Sequence, residues 1–178
     1  MTKDPREELF TDDPEARQEV CKLAYNESAK GLAIQESTLT SIRTAAAAMG
    51  TLAGLAATFL GKEVLTRTAA GNHGSTLVSA GAAAWVAVVA LGVTLLLVIY
   101  LFMPRNNWIF HSSASKLLGE FTRPGAAVKL DVTYAAIAGF NEENYGKNAK
   151  VLSHLFVALN LLMAAVIAQV IAWLVALY

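Results

Sequence analysis

Long uncharged runs dominate the pattern of hydrophobic and polar positions along the chain. Three stretches contain no Asp, Glu, Lys or Arg: Thr44–Gly61, Thr68–Pro104 and Val151–Tyr178. A helix needs about 20 mostly apolar residues to cross the hydrocarbon of a bilayer. The second and third stretches reach that length, over 82–103 and 151–178. The pattern therefore predicts at least two transmembrane helices.

The first stretch is shorter and rich in Ala and Gly. Its eighteen residues form about 27 Å of helix, so we interpret it as a span that needs partner helices. Upstream, Pro14 suits a first helical turn and Asp13 suits its cap, which predicts one helix running into this span. A second long helix is predicted from Lys129 through Lys150 into the last span.

The predicted fold class is an all-α integral membrane protein with three transmembrane helices, two of them extended by long cytoplasmic helices. The predicted segments are a cytoplasmic N-terminal helix (1–43), transmembrane helix 1 (44–61), an external connection (62–81), transmembrane helix 2 (82–103), a cytoplasmic helical connection (104–150) and transmembrane helix 3 (151–178).

Lys and Arg counts in the flanking segments predict the orientation. Six lie before the first span, two in 62–81, six in 104–150 and none after the last span. Because positive residues accumulate on the cytoplasmic side, the N-terminus is predicted to be cytoplasmic and the C-terminus to lie outside. Trp85 and Trp173 would then both lie at the outer interface, as aromatic belts do.

Composition and charge narrow the function classes. The chain is 55% hydrophobic and 16% charged, with a mean hydropathy of +0.46, which argues against a soluble globular enzyme and a disordered protein. A net charge of zero argues against a nucleic-acid binder. Cys21 is the single cysteine, so no disulfide forms within the chain. No catalytic motif or metal-ligand spacing is present, so we expect no enzyme activity, cofactor or metal site.

A face of small residues marks the first span. Ala46, Gly50, Gly54 and Thr58 recur at four-residue spacing and contain a GxxxG motif. Such faces allow helices to approach closely in a membrane. The motif fits a seam between subunits of a homo-oligomer and fits packing within one chain equally well.

Polar residues in the last span give a second candidate. Asn160 and Gln169 lie nine residues apart, on opposite helix faces. One of them lines a pore, or they form hydrogen bonds between helices, which we favour because no ionisable residue accompanies them.

Asparagines before the last span give a third candidate. Asn141, Asn144 and Asn148 share a helix face with Leu130, Tyr134, Ile137 and Leu152. The three asparagines fit a polar ligand-binding face, and the roles of Asn144 and Asn148 stay open. We interpret Asn141 as the cap of a new helix that starts after an interruption at Gly139.

Two arginines flank the predicted inner membrane surface. Arg43 precedes the first span and Arg105 follows the second. Either arginine fits an anionic messenger or a lipid headgroup. Both arginines are also explained as positive residues that fix the orientation of the helices in the membrane, and we favour this interpretation.

The order of these parts resembles a known family. The residues that carry the resemblance are Gln35-Glu36-Ser37-Thr38-Leu39, Arg43-Thr44-Ala45-Ala46, Phe59-Leu60-Gly61, Met103-Pro104-Arg105, Asn141, Asn144, Lys147 and Lys150. The layout of about 20–178 resembles the Pycsar transmembrane effectors of bacterial antiphage defence and the related SLATT-type proteins. The resemblance implies a membrane protein that assembles and breaches the inner membrane on a cytosolic cyclic nucleotide signal.

Three functions therefore compete. The chain is an oligomerising effector that impairs the membrane, a non-enzymatic accessory subunit of another membrane protein, or a passive channel. Its expected partners are the lipid bilayer, further copies of itself and a cyclic nucleotide messenger, with no nucleic acid.

Overall fold

The computed structural model describes residues 13–71, 81–104, 108 and 129–177, and within these ranges the only regular elements are α-helices. They are α1 (Pro14–Gly71), α2 (Gly81–Phe102) and α3 (Leu130–Leu177). Each contains an 18-residue window apolar enough to cross a membrane, with mean hydropathies of 1.4, 2.7 and 2.4. The predicted all-α class is thus confirmed for the described part of the chain.

Helix α1 begins as the sequence predicted. Pro14 is its first residue, and the Asp13 carboxylate accepts a hydrogen bond from the backbone N–H of Glu15 at 3.0 Å. This contact satisfies one of the free N–H groups that every helix start leaves. The helix then continues without a break and ends at Gly71, beyond the Gly61 end of the first uncharged stretch.

Helix α3 corrects the prediction of an interruption at Gly139. The helix is continuous from Leu130 through Gly139 and Asn141 to Leu177. A glycine inside a helix lowers helix stability by about 1 kcal/mol relative to alanine, and the surrounding helical turns can offset this cost. Asn141 is buried and is not a cap.

The chain divides into two compact units. In unit 1, residues 13–38 of α1 lie beside 129–151 of α3. The two helix segments run parallel, because successive contacts advance along both. In chain order these contacts are an ion pair between Arg17 Nε and Asp131 Oδ2 at 3.1 Å, a ring contact between Tyr25 and Tyr134 with centroids 5.6 Å apart, and a hydrogen bond from Gln35 Nε2 to the Tyr145 carbonyl at 3.0 Å.

Unit 2 contains all of α2 together with residues 39–71 of α1 and 152–177 of α3. Helix α2 runs antiparallel to α1, since Gly50 faces Val98 whereas the later Val64 packs with the earlier Ala84 and Ala87. Ala172 and Trp173 of α3 complete that cluster.

Buried positions in the two long helices recur every seven residues. In α1 they include Leu32, Leu39, Ala46 and Ala53, and in α3 they include Asn141, Asn148, Leu155, Leu162 and Gln169. A seven-residue repeat is the signature of coiled-coil packing. On α1 Leu32, Leu39 and Ile42 are buried, whereas Leu23 is 61% exposed.

Candidate functional site

The small-residue face of α1 divides into two halves. Ala46 is fully buried, and a Cβ placed on Gly50 would meet Val98 of α2 at 3.3 Å. A Cβ placed on Gly54 would meet nothing within 4 Å, and Thr58 is exposed. The first half of the GxxxG face therefore packs within the chain, whereas the second half is open.

The open half of this face, Gly54 and Thr58, is part of a row of threonine hydroxyl groups along α1, called the threonine stripe below. Thr44, Thr51 and Thr58 lie seven residues apart and are all exposed. Each hydroxyl donates to the carbonyl four residues earlier, at 2.8–3.0 Å. Such a bond uses the single proton and leaves oxygen lone pairs free to accept. Sequence analysis missed this stripe, although the seven-residue spacing of threonines was the available signal.

The environment of this stripe differs from the other exposed surfaces of unit 2. Between the threonines α1 exposes Ala47, Ala48 and Gly54 together with Leu52 and Leu55. The outward faces of α2 and α3 instead expose large apolar side chains. Examples are Val86, Val89, Leu96, Ile99, Val157, Leu161, Ile167, Ile171 and Val175. The open face of α1 thus differs in carrying small and hydroxyl-bearing side chains, although Leu55 is also half exposed on it.

The two polar residues of the last span lie in opposite environments, as their spacing predicted. Asn160 is exposed. Gln169 is fully buried, and its Nε2 donates to the carbonyl oxygen of Ala53 in α1 at 2.8 Å. This geometry gives Gln169 the interhelical role that we favoured.

Unit 1 has a polar core where a coiled coil normally has apolar residues. Gln35, Asn141, Asn144 and Asn148 are all at most 4% exposed. Asn141 Nδ2 donates to Ser28 Oγ at 3.2 Å, and Ser28 Oγ donates to the Tyr25 carbonyl at 2.9 Å.

Two buried amide atoms in this core lack a hydrogen bond within the described residues. They are the acceptor Gln35 Oε1 and the donor Asn144 Nδ2. Of the face inferred from spacing, Ile137, Asn141, Asn144, Asn148 and Leu152 are buried, whereas Leu130 is 54% exposed.

Arg43 lies partly buried in α1, and its Nε has no hydrogen-bond partner among the described residues. A guanidinium with a free N–H can still accept an anion. Arg105 lies outside the described residues, so the structure does not place the two arginines together.

Trp85 and Trp173, which are both predicted to lie at the outer membrane interface, differ in how exposed their side chains are. Trp85 is 46% exposed, whereas Trp173 is 3% exposed. A Cβ on Gly61 would lie 3.2 Å from the Trp173 ring, so the indole packs inside unit 2 against the bare backbone of α1. Burial within the chain does not give the depth in a membrane, so the outer interface stays a prediction for both residues.

The acidic groups of unit 1 lie at its surface. An open groove of about 450 Å³ is lined partly by Ser28, Gly31, Tyr145 and the carboxylates Glu27 and Glu142. Nearby, a hydrogen bond from Lys147 and its positive charge lower the pKa of Glu143.

In the part of the chain that the structure describes, no three His, Cys, Asp or Glu residues cluster as metal ligands do.

Comparison of the chain with protein-family models, with curated proteins and with solved structures finds no match. The functional argument therefore depends on the residues and contacts described above.

Proposed function

We propose that this protein is an integral membrane protein whose three helices cross the bilayer. The support is the length and hydropathy of the helices together with the many large apolar side chains that unit 2 exposes. Such side chains are costly in water and favourable against lipid tails. The Lys and Arg distribution supports a cytoplasmic N-terminus and an external C-terminus.

The proposed function is that of a homo-oligomerising membrane effector. The observation that carries it is the open face of α1, where a Cβ on Gly54 would meet no atom of the other described helices within 4 Å and Thr51 and Thr58 are exposed. Small and hydroxyl-bearing faces favour close helix–helix contact in lipid, because van der Waals packing and hydrogen bonds replace the missing hydrophobic force. A second copy of the chain is the proposed occupant of this face.

Gly54→Leu tests this interface directly. Gly92 is its matched control, because it is also exposed and a Cβ there would also meet nothing within 4 Å, but it lies on α2. We expect wild type and Gly92→Leu to form the same oligomer in native nanodiscs, and Gly54→Leu to form smaller species. Native mass spectrometry gives the masses. A monomeric wild type, or equal masses for all three proteins, would contradict the proposal.

Gly50→Leu is not a suitable variant for testing the subunit interface. Its new side chain would collide with Val98 inside the same chain, since a Cβ alone already approaches to 3.3 Å. Loss of assembly in Gly50→Leu would therefore report misfolding of unit 2 and would carry no information about subunit contacts.

The proposed consequence of assembly is loss of membrane integrity on a cytosolic nucleotide signal. The support is the resemblance in layout to Pycsar and SLATT-type effectors and the partly buried Arg43 with its unpaired Nε. The test is membrane potential in bacteria that express the chain, before and after a cyclic nucleotide or a phage challenge. Depolarisation is expected in wild type and Gly92→Leu and is lost in Gly54→Leu. An unchanged potential in wild type under every condition would exclude the effector function.

A passive channel is the second candidate, and the threonine stripe favours it. Because Gln169 contacts Ala53 inside the chain, the exposed polar candidates for a pore lining are Asn160 and the threonines Thr44, Thr51 and Thr58, which form a row along α1. In a Cys21→Ser background, cysteines at the three threonine positions should react with a hydrophilic thiol reagent. Cysteines at Leu52 and Phe59, which are exposed about 100° around the helix, should not. Equal labelling of both sets would remove the basis for this pore.

A further inference from the structure

Two buried polar atoms inside unit 2 have no hydrogen-bond partner among the described residues. They are Thr94 Oγ1 on α2 and Gln169 Oε1 on α3. Both residues are 0% exposed. A hydroxyl offers a proton and an amide oxygen accepts one, so the two atoms are chemically complementary.

The contacts of unit 2 place these residues at nearly the same level. Gly50 of α1 faces Val98 of α2, and α2 runs antiparallel to α1. Thr94 lies about one turn before Val98, so it lies about one turn beyond Gly50, close to the Ala53 carbonyl that Gln169 contacts at 2.8 Å.

Side-chain direction brings the two groups closer. Helical side chains lean toward the N-terminus of their own helix. The contact between Gly61 and Trp173 places Gln169, one turn before Trp173, about one turn beyond Thr94 along α1. Because α3 runs parallel to α1 in unit 2 and α2 runs antiparallel, the Gln169 side chain leans back toward Thr94 and the Thr94 side chain leans toward Gln169.

An unpaired hydroxyl and an unpaired amide oxygen are expensive in an apolar interior, at about 1–3 kcal/mol each. Buried water relieves this cost where two or more polar groups converge. We propose that Thr94 Oγ1 and Gln169 Oε1 form a binding site for one water molecule that links α2 to the α1–α3 pair. All of its atoms belong to one chain, so the site does not depend on oligomerisation.

Side-chain NMR of the full chain in detergent micelles tests this site. In deuterated, ¹⁵N-labelled protein, we expect a water cross-peak at the Gln169 Nε2 protons in wild type. The cross-peak should be lost in Thr94→Val and retained in Thr94→Ser, which keeps the hydroxyl. The backbone resonances around Ala53 report whether each variant keeps its fold. No cross-peak in wild type, or one that persists in Thr94→Val, would overturn the proposal.

Thermal unfolding provides a second measurement. Thr94→Val and Gln169→Leu should each change the unfolding temperature, and the double variant should change it by less than the sum of the two, because each removes the same link. Thr51→Val combined with Gln169→Leu is the control pair, since Thr51 is exposed on α1, and these effects should add. Additive effects for Thr94 and Gln169 would also overturn the site.

Discussion

At the scale of single residues, Gly50 and Gly61 of α1 both pack against another helix of unit 2, but they differ in how well they would tolerate an added side chain. A Cβ on Gly50 meets the tip of Val98, which is a small aliphatic group. A Cβ on Gly61 meets the indole of Trp173, a rigid ring that is 3% exposed and has little space to move. Close packing of this kind is sensitive to one added methyl group.

Gly61→Val should therefore destabilise the protein. Overpacking typically costs about 1–3 kcal/mol, and here the Trp173 ring would have to shift. The measurement is thermal unfolding in detergent, followed by circular dichroism. Gly92→Val is the control, since nothing lies within 4 Å of that position. Equal unfolding temperatures for the two variants would show that the indole can move aside.

At the scale of helices, the parallel segments of α1 and α3 in unit 1 have buried positions that recur every seven residues, and several of these positions hold polar side chains. Polar groups at core positions of a coiled coil fix register and partner number at a cost in stability. Asn141 meets Ser28, so its donor is satisfied, whereas Asn144 Nδ2 is buried without a partner among the described residues. The two asparagines should respond differently to an apolar substitution.

Asn144→Leu should stabilise unit 1, because it removes an unsatisfied buried amide and adds an apolar core side chain. An unsatisfied buried polar group costs about 1–3 kcal/mol, which sets the scale of the gain. Asn141→Leu is the comparison and should not stabilise, since it deprives the Ser28 hydroxyl of its donor. The thermal unfolding of the full chain measures both. A lower unfolding temperature for Asn144→Leu would mean that its amide is bonded in solution.

At the scale of the whole molecule, the orientation in the bilayer is a proposal with a direct test. Cys21 and Lys150 belong to the proposed cytoplasmic side, and Lys62 lies near the external side. A membrane-impermeant maleimide should label Lys62→Cys in intact cells, in a Cys21→Ser background. Native Cys21 and Lys150→Cys should react only after permeabilisation. The reverse pattern would invert the topology.

The sequence by itself determined where α1 begins and how far α2 extends, for physical reasons that are local, whereas the continuation of α1 to Gly71 and of α3 through Gly139 was not predicted. The start of α1 depends on Asp13 and Pro14, and the extent of α2 follows an uncharged apolar run. That Asn144 and Asn148 share a face followed from 3- and 4-residue spacing, because spacing alone sets which side chains share a helix face. That this face is buried did not follow from the spacing.

Only the tertiary structure decided which faces are occupied. Gln169 meets Ala53 across 116 positions of sequence, and Asn141 meets Ser28 across 113. No local pattern encodes such partners, so a motif such as GxxxG predicts close approach without naming the neighbour. Packing against Val98 covers Gly50 and leaves Gly54 open, and that difference separates the interior of the chain from the surface proposed for a second copy.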